Sequence, residues 1–439
     1  FTLGNRALLK VNEWMANPTP GDDDWFELYN PNLQPVNISG LWLSDTPSQM
    51  KFQIPPLSYM GTELNGFERF IADDNTAAGA DHVNFKLSGT GESIGLFVNA
   101  TTPIDVIAFG LQVEGISQGR LPDGSATIKS FPGTPTPADA NYLPLASIVI
   151  NEVMSHTDWP YEDAIELYNA SSSPVNIGGW YLSDAKRELK KFQIPNGISI
   201  PARGYKVFYE SNSFAADPVS PFSFALDSAH GDEVYLSAAV GNVLTGYRTQ
   251  VDFGAAERNV SFGRYTNSAA AVHFVALSRQ TFGVDSPDTS PEFETGTGKA
   301  NALPKVGPIA INEIMYHPPD LLGADNVRDE FIELINMSGT NVPLYDPLHP
   351  TNTWRLRDAV SFHFPMNLTM PPGDLLLVVS FDPVNDPTTL AQFRANYGIP
   401  ANVPIVGPYN GKLDNGGESL ELCKPDAPEP PGDPDAGYV

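Results

Sequence analysis

The sequence predicts an all-β protein built as three tandem sandwich modules, and three observations carry that prediction. The chain has 439 residues, enough for about three domains at roughly 150 residues each. Short apolar runs rich in Val, Ile, Phe and Tyr recur along it, bounded by Gly, Pro, Asn or Asp, as the strands of a sandwich or barrel are. Those runs return three times in the same order. The 41 prolines and 37 glycines follow no collagen-like period, so they serve the many turns such a fold needs.

The repeat opens with Val11-Asn12-Glu13-Trp14-Met15, which returns as Ile150-Asn151-Glu152-Val153-Met154 and as Ile311-Asn312-Glu313-Ile314-Met315. Phe26-Glu27-Leu28-Tyr29-Asn30 then recurs as Ile165 to Asn169 and Ile332 to Asn336. A Pro-Val-Asn-Ile stretch at 35–38 and 174–177 precedes a Trp-containing run that ends in Leu-Ser-Asp, Trp42 to Asp45 and Trp180 to Asp184. Phe-Gln-Ile-Pro at 52–55 and 192–195 corresponds to Phe362 to Pro365. Gly-led apolar runs follow at Gly66, Gly204 and Gly373, and then Gly91-Glu92, Gly231-Asp232 and Gly417-Glu418. The first two copies also share Phe-Gly at 109–110 and 253–254, and Ser-x-Gly-Arg at 117–120 and 261–264. The modules are placed at 1–140, 146–287 and 307–439, the third incomplete at its C-terminal end. Gly133 to Asn141 and Asp285 to Pro308 read as linkers. Helical periodicity is found at Thr388 to Tyr397 and predicts one short helix in the third module. The Pro-rich stretch from Lys424 to Val439 reads as extended.

These motifs, in this order, resemble the lamin tail domain, most closely in the second copy, about Ser147 to Pro287. The third copy opens in the manner of bacterial members, Ile311 to His317. It departs where a longer Tyr345 to Asp358 stretch replaces the Trp run, and where the closing strands are missing. The resemblance implies an immunoglobulin-like β-sandwich in each module and, for bacterial members, a place in large exported or cell-surface proteins. Eukaryotic members belong to the nuclear lamina, a poor match for a chain without coiled-coil heptads or a nuclear signal. The missing strands admit two explanations: the chain continues past Val439, or another chain supplies them by β-augmentation.

Architecture accounts for the recurring residues. Trp42 and Trp180 are expected to plug their cores, with Met15, Met154 and Met315 as adaptable fillers. Asn12, Asn151 and Asn312 are expected to tie a strand edge to a loop by side-chain to backbone hydrogen bonds. Gly91, Gly231 and Gly417 suit turns that need positive φ.

A formal charge of −27 disfavours nucleic acid, which needs a basic face. It directs attention to cations. Asp22, Asp23 and Asp24 are the candidate calcium ligands, with related carboxylates at Glu162-Asp163 and Asp329-Glu330; a solvated turn is the alternative, since EF-hand spacing is lacking. His156 and His317 match in position, but the first copy has Asn17 there, and seven scattered histidines make no zinc set. Cys423, the one cysteine, lacks the context of a catalytic thiol and excludes an internal disulfide framework. Nucleophile-elbow, Walker and Rossmann patterns are missing, and no run is apolar enough to span a bilayer. The reading is a non-enzymatic scaffold, stalk or filament module with no cofactor, meeting protein partners or copies of itself through sandwich faces and edges. The alternative is an adhesion or ligand-binding module for carbohydrate or protein.

Overall fold

A computed structural model describes residues 2–426 of the chain. Most of the Pro-rich tail, residues 427–439, lies outside the described residues. Three hydrophobic cores follow one another along the sequence, from Leu9 to Phe109, from Leu145 to Phe253 and from Ile309 to Leu413. Each is enclosed between two β-sheets, in which pairing is antiparallel apart from two short parallel contacts.

In the first sandwich a five-stranded sheet runs in the order Ile128–Phe131, Ser117–Arg120, Lys10–Met15, Trp25–Tyr29, Phe67–Ile71. It faces a four-stranded sheet of Phe52–Gln53, Trp42–Ser44, Glu92–Asn99 and Thr102–Phe109. The second sandwich repeats this with Val272–Ala276, Phe262–Thr266, Ile148–Met154, Ala164–Asn169 and Tyr205–Tyr209 in the first sheet. The third keeps Ile309–Met315, Phe331–Asn336 and Leu375–Val379, but among the described residues no strand pairs with the free side of Ile309–Met315. Lys10–Met15, Ile148–Met154 and Ile309–Met315 are called opening strands below; Ser117–Arg120 and Phe262–Thr266 are closing strands.

The tryptophan expectation is corrected. Trp42 and Trp180 are both only half-buried, Trp180 packing against the second core, and the two are not equivalent residues. Leu43, Leu182 and Leu356 are the equivalents, pairing with Leu96, Leu236 and Leu422. Trp42 stands one residue before its leucine and Trp180 two before, so in a period-two strand they face opposite sides. The inward position belongs to Leu41, Trp180 and Trp354, whose carbonyls each accept a hydrogen bond from the next strand, from Ile54, Ile194 and Phe364. Trp354 is 4% exposed and fills the third core from within the stretch that looked divergent. In the first core the fully buried tryptophan is Trp14, against Phe109. Met15 and Met154 are buried but outside the two sandwich cores, Met154 on the outer face of its sheet, and Met315 is half-buried, so the expectation of core fillers is corrected.

The helix of the third sandwich spans Pro387–Tyr397, capped by the Asp386 side chain and ended by left-handed Gly398. Its Phe393 lies buried on the outer face of the first sheet, over Phe331 and Val379. A one-turn helix, Ser290–Phe293, was not foreseen, being too short to show a period. Its Phe293 caps the matching face of the second sandwich, over Met154 and Val207. Both helices are lids on a sheet that is apolar on both faces. No helix among the described residues is long and apolar enough to cross a membrane.

Trp354→Ala should therefore destabilise the third sandwich by about 3–5 kcal/mol, while Trp42→Ala should cost distinctly less. Chemical denaturation of the two variants checks the order; equal losses would contradict the offset.

Candidate functional site

The Asn-Glu motif sits at a β-bulge. Opening and second strands pair with a register shift between Val11 and Glu13, Ile150 and Glu152, and Ile311 and Glu313, which leaves the asparagine as the extra residue. The bulge brings each glutamate opposite a second glutamate: Glu13 faces Glu27, Glu152 faces Glu166, and Glu313 faces Glu333. In the first two sandwiches all four of these carboxyls are inaccessible to solvent.

Two buried carboxyls side by side demand hydrogen bonds, and the closing strand and loop supply them. Asn12 Nδ2 donates to Glu27 Oε1 and to Asp123 Oδ1, both at 2.9 Å. Ser117 Oγ donates to Glu13, as do the Thr136 amide at 3.1 Å and hydroxyl at 2.8 Å. The Ala138 amide donates to Glu27 at 2.9 Å. The second sandwich repeats much of the set: Asn151 donates to Glu166 and Asn301, while Ser261 and Thr281 donate to Glu152. Burial pushes Glu13 up to about 7, against the lowering effect of the Ser117 and Thr136 bonds. It holds Glu27 well above the carboxylate range, with the Glu13 charge adding to it. Burial and then Glu152 push Glu166 up to about 9, and burial takes Asp123 to about 6. A paired acid and carboxylate could exchange a proton, but beneath this cover they reach no substrate. Each node is an internal clamp.

The asparagine expectation is corrected in part. Asn12 Oδ1 does accept from a loop amide, that of Gly124 at 3.0 Å, but the amide nitrogens bind side chains, because the facing carboxyl is the stronger acceptor. In the third sandwich Asn312 donates to Glu333 at 2.6 Å, while Asn312 and Glu313 themselves stand exposed.

The acidic positions do not converge. Asp24 Oδ2 accepts from the Leu87 amide at 2.9 Å, Asp163 from Leu226 at 3.3 Å, and Glu330 from Leu413 at 2.9 Å. One carboxyl per sandwich thus ties the start of the second strand to the leucine before the Gly-acid turn. Asp22 accepts from the Thr19 hydroxyl, and with Asp23 it borders an open cleft shared with Trp25, Arg69 and Pro135. Among the described residues no three acidic, histidine or cysteine side chains gather where a metal ion could be held. The Gly-acid turns are clamps as well: Gly91, Gly231 and Gly417 have positive φ, and Glu92, Asp232 and Glu418 accept the amides of Ser88, Asp227 and Asp414.

His156 Nδ1 lies 2.9 Å from the Ala256 carbonyl, where Asn17 of the first sandwich donates to the Gln112 carbonyl; His317 is exposed. A cavity of about 440 Å³ separates the second and third sandwiches, walled by His156, Glu257, Arg355, Arg357, Cys423 and Lys424. Burial pushes the Cys423 thiol up, which keeps it protonated and a poor nucleophile.

Sequence reading missed Thr136, Asn141, Thr281 and Asn301; all but Thr281, which lies just before the second, fall inside segments whose composition suggests linkers. Asn141 Nδ2 donates to the carbonyls of Asn12 and Arg120, and Asn301 Nδ2 to those of Asn151 and Arg264. The signal was present in the Ala-Asn pairs at 140–141 and 300–301. Buried Asn30, Asn169 and Asn336 also went unassigned; each donates to two or more backbone carbonyls.

A carboxyl held above its ordinary value binds its proton more tightly in the folded chain than in the unfolded one. The stability it confers is complete below about pH 4.5 and is lost as pH rises toward 9 for Glu166. The melting temperature of the second sandwich should fall across that window, and Glu166→Gln should flatten the fall. An unchanged slope in a calorimetric pH series would contradict the assignment. If Asp22 and Asp23 are ordinary solvated carboxylates, neither added calcium nor a chelator should move the melting temperature, whereas a rise with calcium would reveal binding.

Residues 144–251 match the family model described as Lamin Tail Domain. No curated protein and no solved structure matches the chain.

Proposed function

From the lamin tail domain at residues 144–251, an immunoglobulin-like structural fold, we propose that this chain is a non-enzymatic scaffold or stalk segment of a large exported or cell-surface protein of bacterial type. The observation that carries the reading is the stapled joint between the first two sandwiches. Leu143–Pro144, directly after the closing loop of the first, pairs as a parallel strand with Tyr247 and Arg248 of the second. The Arg248 guanidinium stacks on Tyr142, 3.8 Å from its ring centroid, with Tyr235 nearby. Lys186 and Asp139 add an ion pair at 2.6 Å. Gly246, at φ +79°, lies so close to Leu121 that a Cβ there would sit 2.2 Å from its Cδ1. The second and third sandwiches are tied through Glu257, which receives both Lys305 and Lys424. Modules fastened in this way transmit force and hold spacing, which a scaffold requires and a string of flexibly linked binders does not. The alternative, adhesion or ligand binding, draws its support from the charged cavity at the second joint.

Spin labels at Leu33 and Val219, 91% and 89% exposed, in a Cys423→Ser background should report one narrow distance between the first two sandwiches. Arg248→Ala should broaden it several-fold. A wild-type distribution already as broad as the variant's would refute the stiff-joint reading.

A further inference from the structure

The outer face of the first sheet is closed by a phenylalanine in the second and third sandwiches and stands open in the first. Register fixes the correspondence. Trp25, Ala164 and Phe331 lie opposite the methionine of each opening strand and, on their other side, opposite Ile71, Tyr209 and Val379. Phe293 covers these positions in the second sandwich and Phe393 in the third. In the first, Met15, Trp25 and Ile71 instead line an open cleft of about 480 Å³. Pro137 borders it from the place that Phe282 holds, directly after the node threonine.

The opening comes from the course of the chain inside the sandwich, because both lids are carried on insertions that the first sandwich lacks. Ser290–Phe293 lies between the node threonine and the node asparagine, which are twenty residues apart in the second sandwich and five in the first. Pro387–Tyr397 follows Leu375–Val379, where the first sandwich forms no helix from Ala72 to Gly91. One substitution accompanies the loss. Opposite Glu27, Arg69 stands exposed at the cleft, whereas its counterparts, Val207 opposite Glu166 and Leu377 opposite Glu333, are buried under the lids. A guanidinium keeps an apolar floor soluble while it is empty. A lid of this chain's own would not need it: the two that the chain builds lie over valine and leucine. Asp22 and Asp23 border the same cleft with charge of the opposite sign.

We propose that this cleft is a docking site for an aromatic side chain of another polypeptide, flanked by an acidic residue on one side and a basic residue on the other. The ring takes the place that Phe293 and Phe393 hold in the siblings, against Met15, Trp25 and Ile71, where contact with the indole adds to apolar burial. The flanking carboxylate pairs with Arg69 and the flanking cation with Asp22 and Asp23, so the rim charges set orientation and selectivity. The contact is exchangeable, since one ring and a charged rim are all that hold it. The inference does not depend on the stalk reading.

The test uses the whole chain and, as probe, a fluorescein-labelled peptide of its own residues 288–297 carrying Glu294→Lys, in which Phe293 has a carboxylate on one side and an ammonium on the other. Fluorescence anisotropy should show saturable binding at one site, lost when the peptide also carries Phe293→Ala. Arg69→Gln, an exposed substitution that leaves the fold intact, should weaken binding about threefold to fivefold, the reach of an exposed ion pair. No binding overturns the proposal, as does binding that survives Phe293→Ala in the peptide. Binding undiminished by Arg69→Gln overturns it too, by placing the peptide elsewhere. Concentration-dependent dimerisation lost in Arg69→Gln does the same, by making a second copy the occupant.

Discussion

Two glutamates facing each other inside a sheet set the terms for the rest of each sandwich. Out of water, a carboxyl pair persists only if at least one member is protonated or if donors surround both. The bulge delivers the asparagine that bridges to the second glutamate, and the closing strand delivers the serine for the first. The closing loop delivers the threonine that completes it. Remove any of these and a buried polar group is left without a partner, which costs more than the bond itself contributes. The recurrence of Asn-Glu, Glu-Leu and Ser-x-Gly along the chain is therefore one constraint seen at three places.

Closure of one sandwich and attachment to the next are performed by the same stretch of chain. Thr136 and Asn141 finish the first node, and within three residues Leu143–Pro144 joins a sheet of the second sandwich. The joint and the buried carboxyl cluster are thus parts of one continuous, hydrogen-bonded stretch. The second sandwich extends the device: Phe293 closes its outer face and Asn301 its node before the chain reaches Lys305, which anchors to Glu257. Segments rich in Pro, Gly and Thr do this because their backbones follow a surface closely, and their small side chains admit hydrogen bonds to what lies beneath.

The third sandwich separates the parts of this design. Among the described residues its core forms without a closing strand, with Trp354, Phe364 and Leu376 packed from within. Its outer face is sealed by Phe393 from an inserted helix rather than by a closing loop. Among the described residues no strand covers its node, and the same Asn-Glu pair that is an internal clamp elsewhere is exposed there.

Strand content, the threefold repeat, the positive-φ glycines and the helix near residue 390 were all legible in the sequence, because period, turn chemistry and spacing are local properties. The lamin-tail resemblance was legible for the same reason, being carried by short motifs in a fixed order. The inward tryptophan was not, since a one-residue offset between Trp42 and Trp180 reverses the face of a strand and only pairing reveals the register. Nor was the use of Asp24, Asp163 and Glu330: a carboxylate before a strand suits a cation or an amide equally, and the choice rests with Leu87, Leu226 and Leu413, 63 to 83 residues away. The fate of the Asn-Glu motif, buried twice and exposed once, was likewise decided by tertiary structure. Whether a second strand arrives beside it is a matter of long-range pairing, which no local pattern in those five residues encodes.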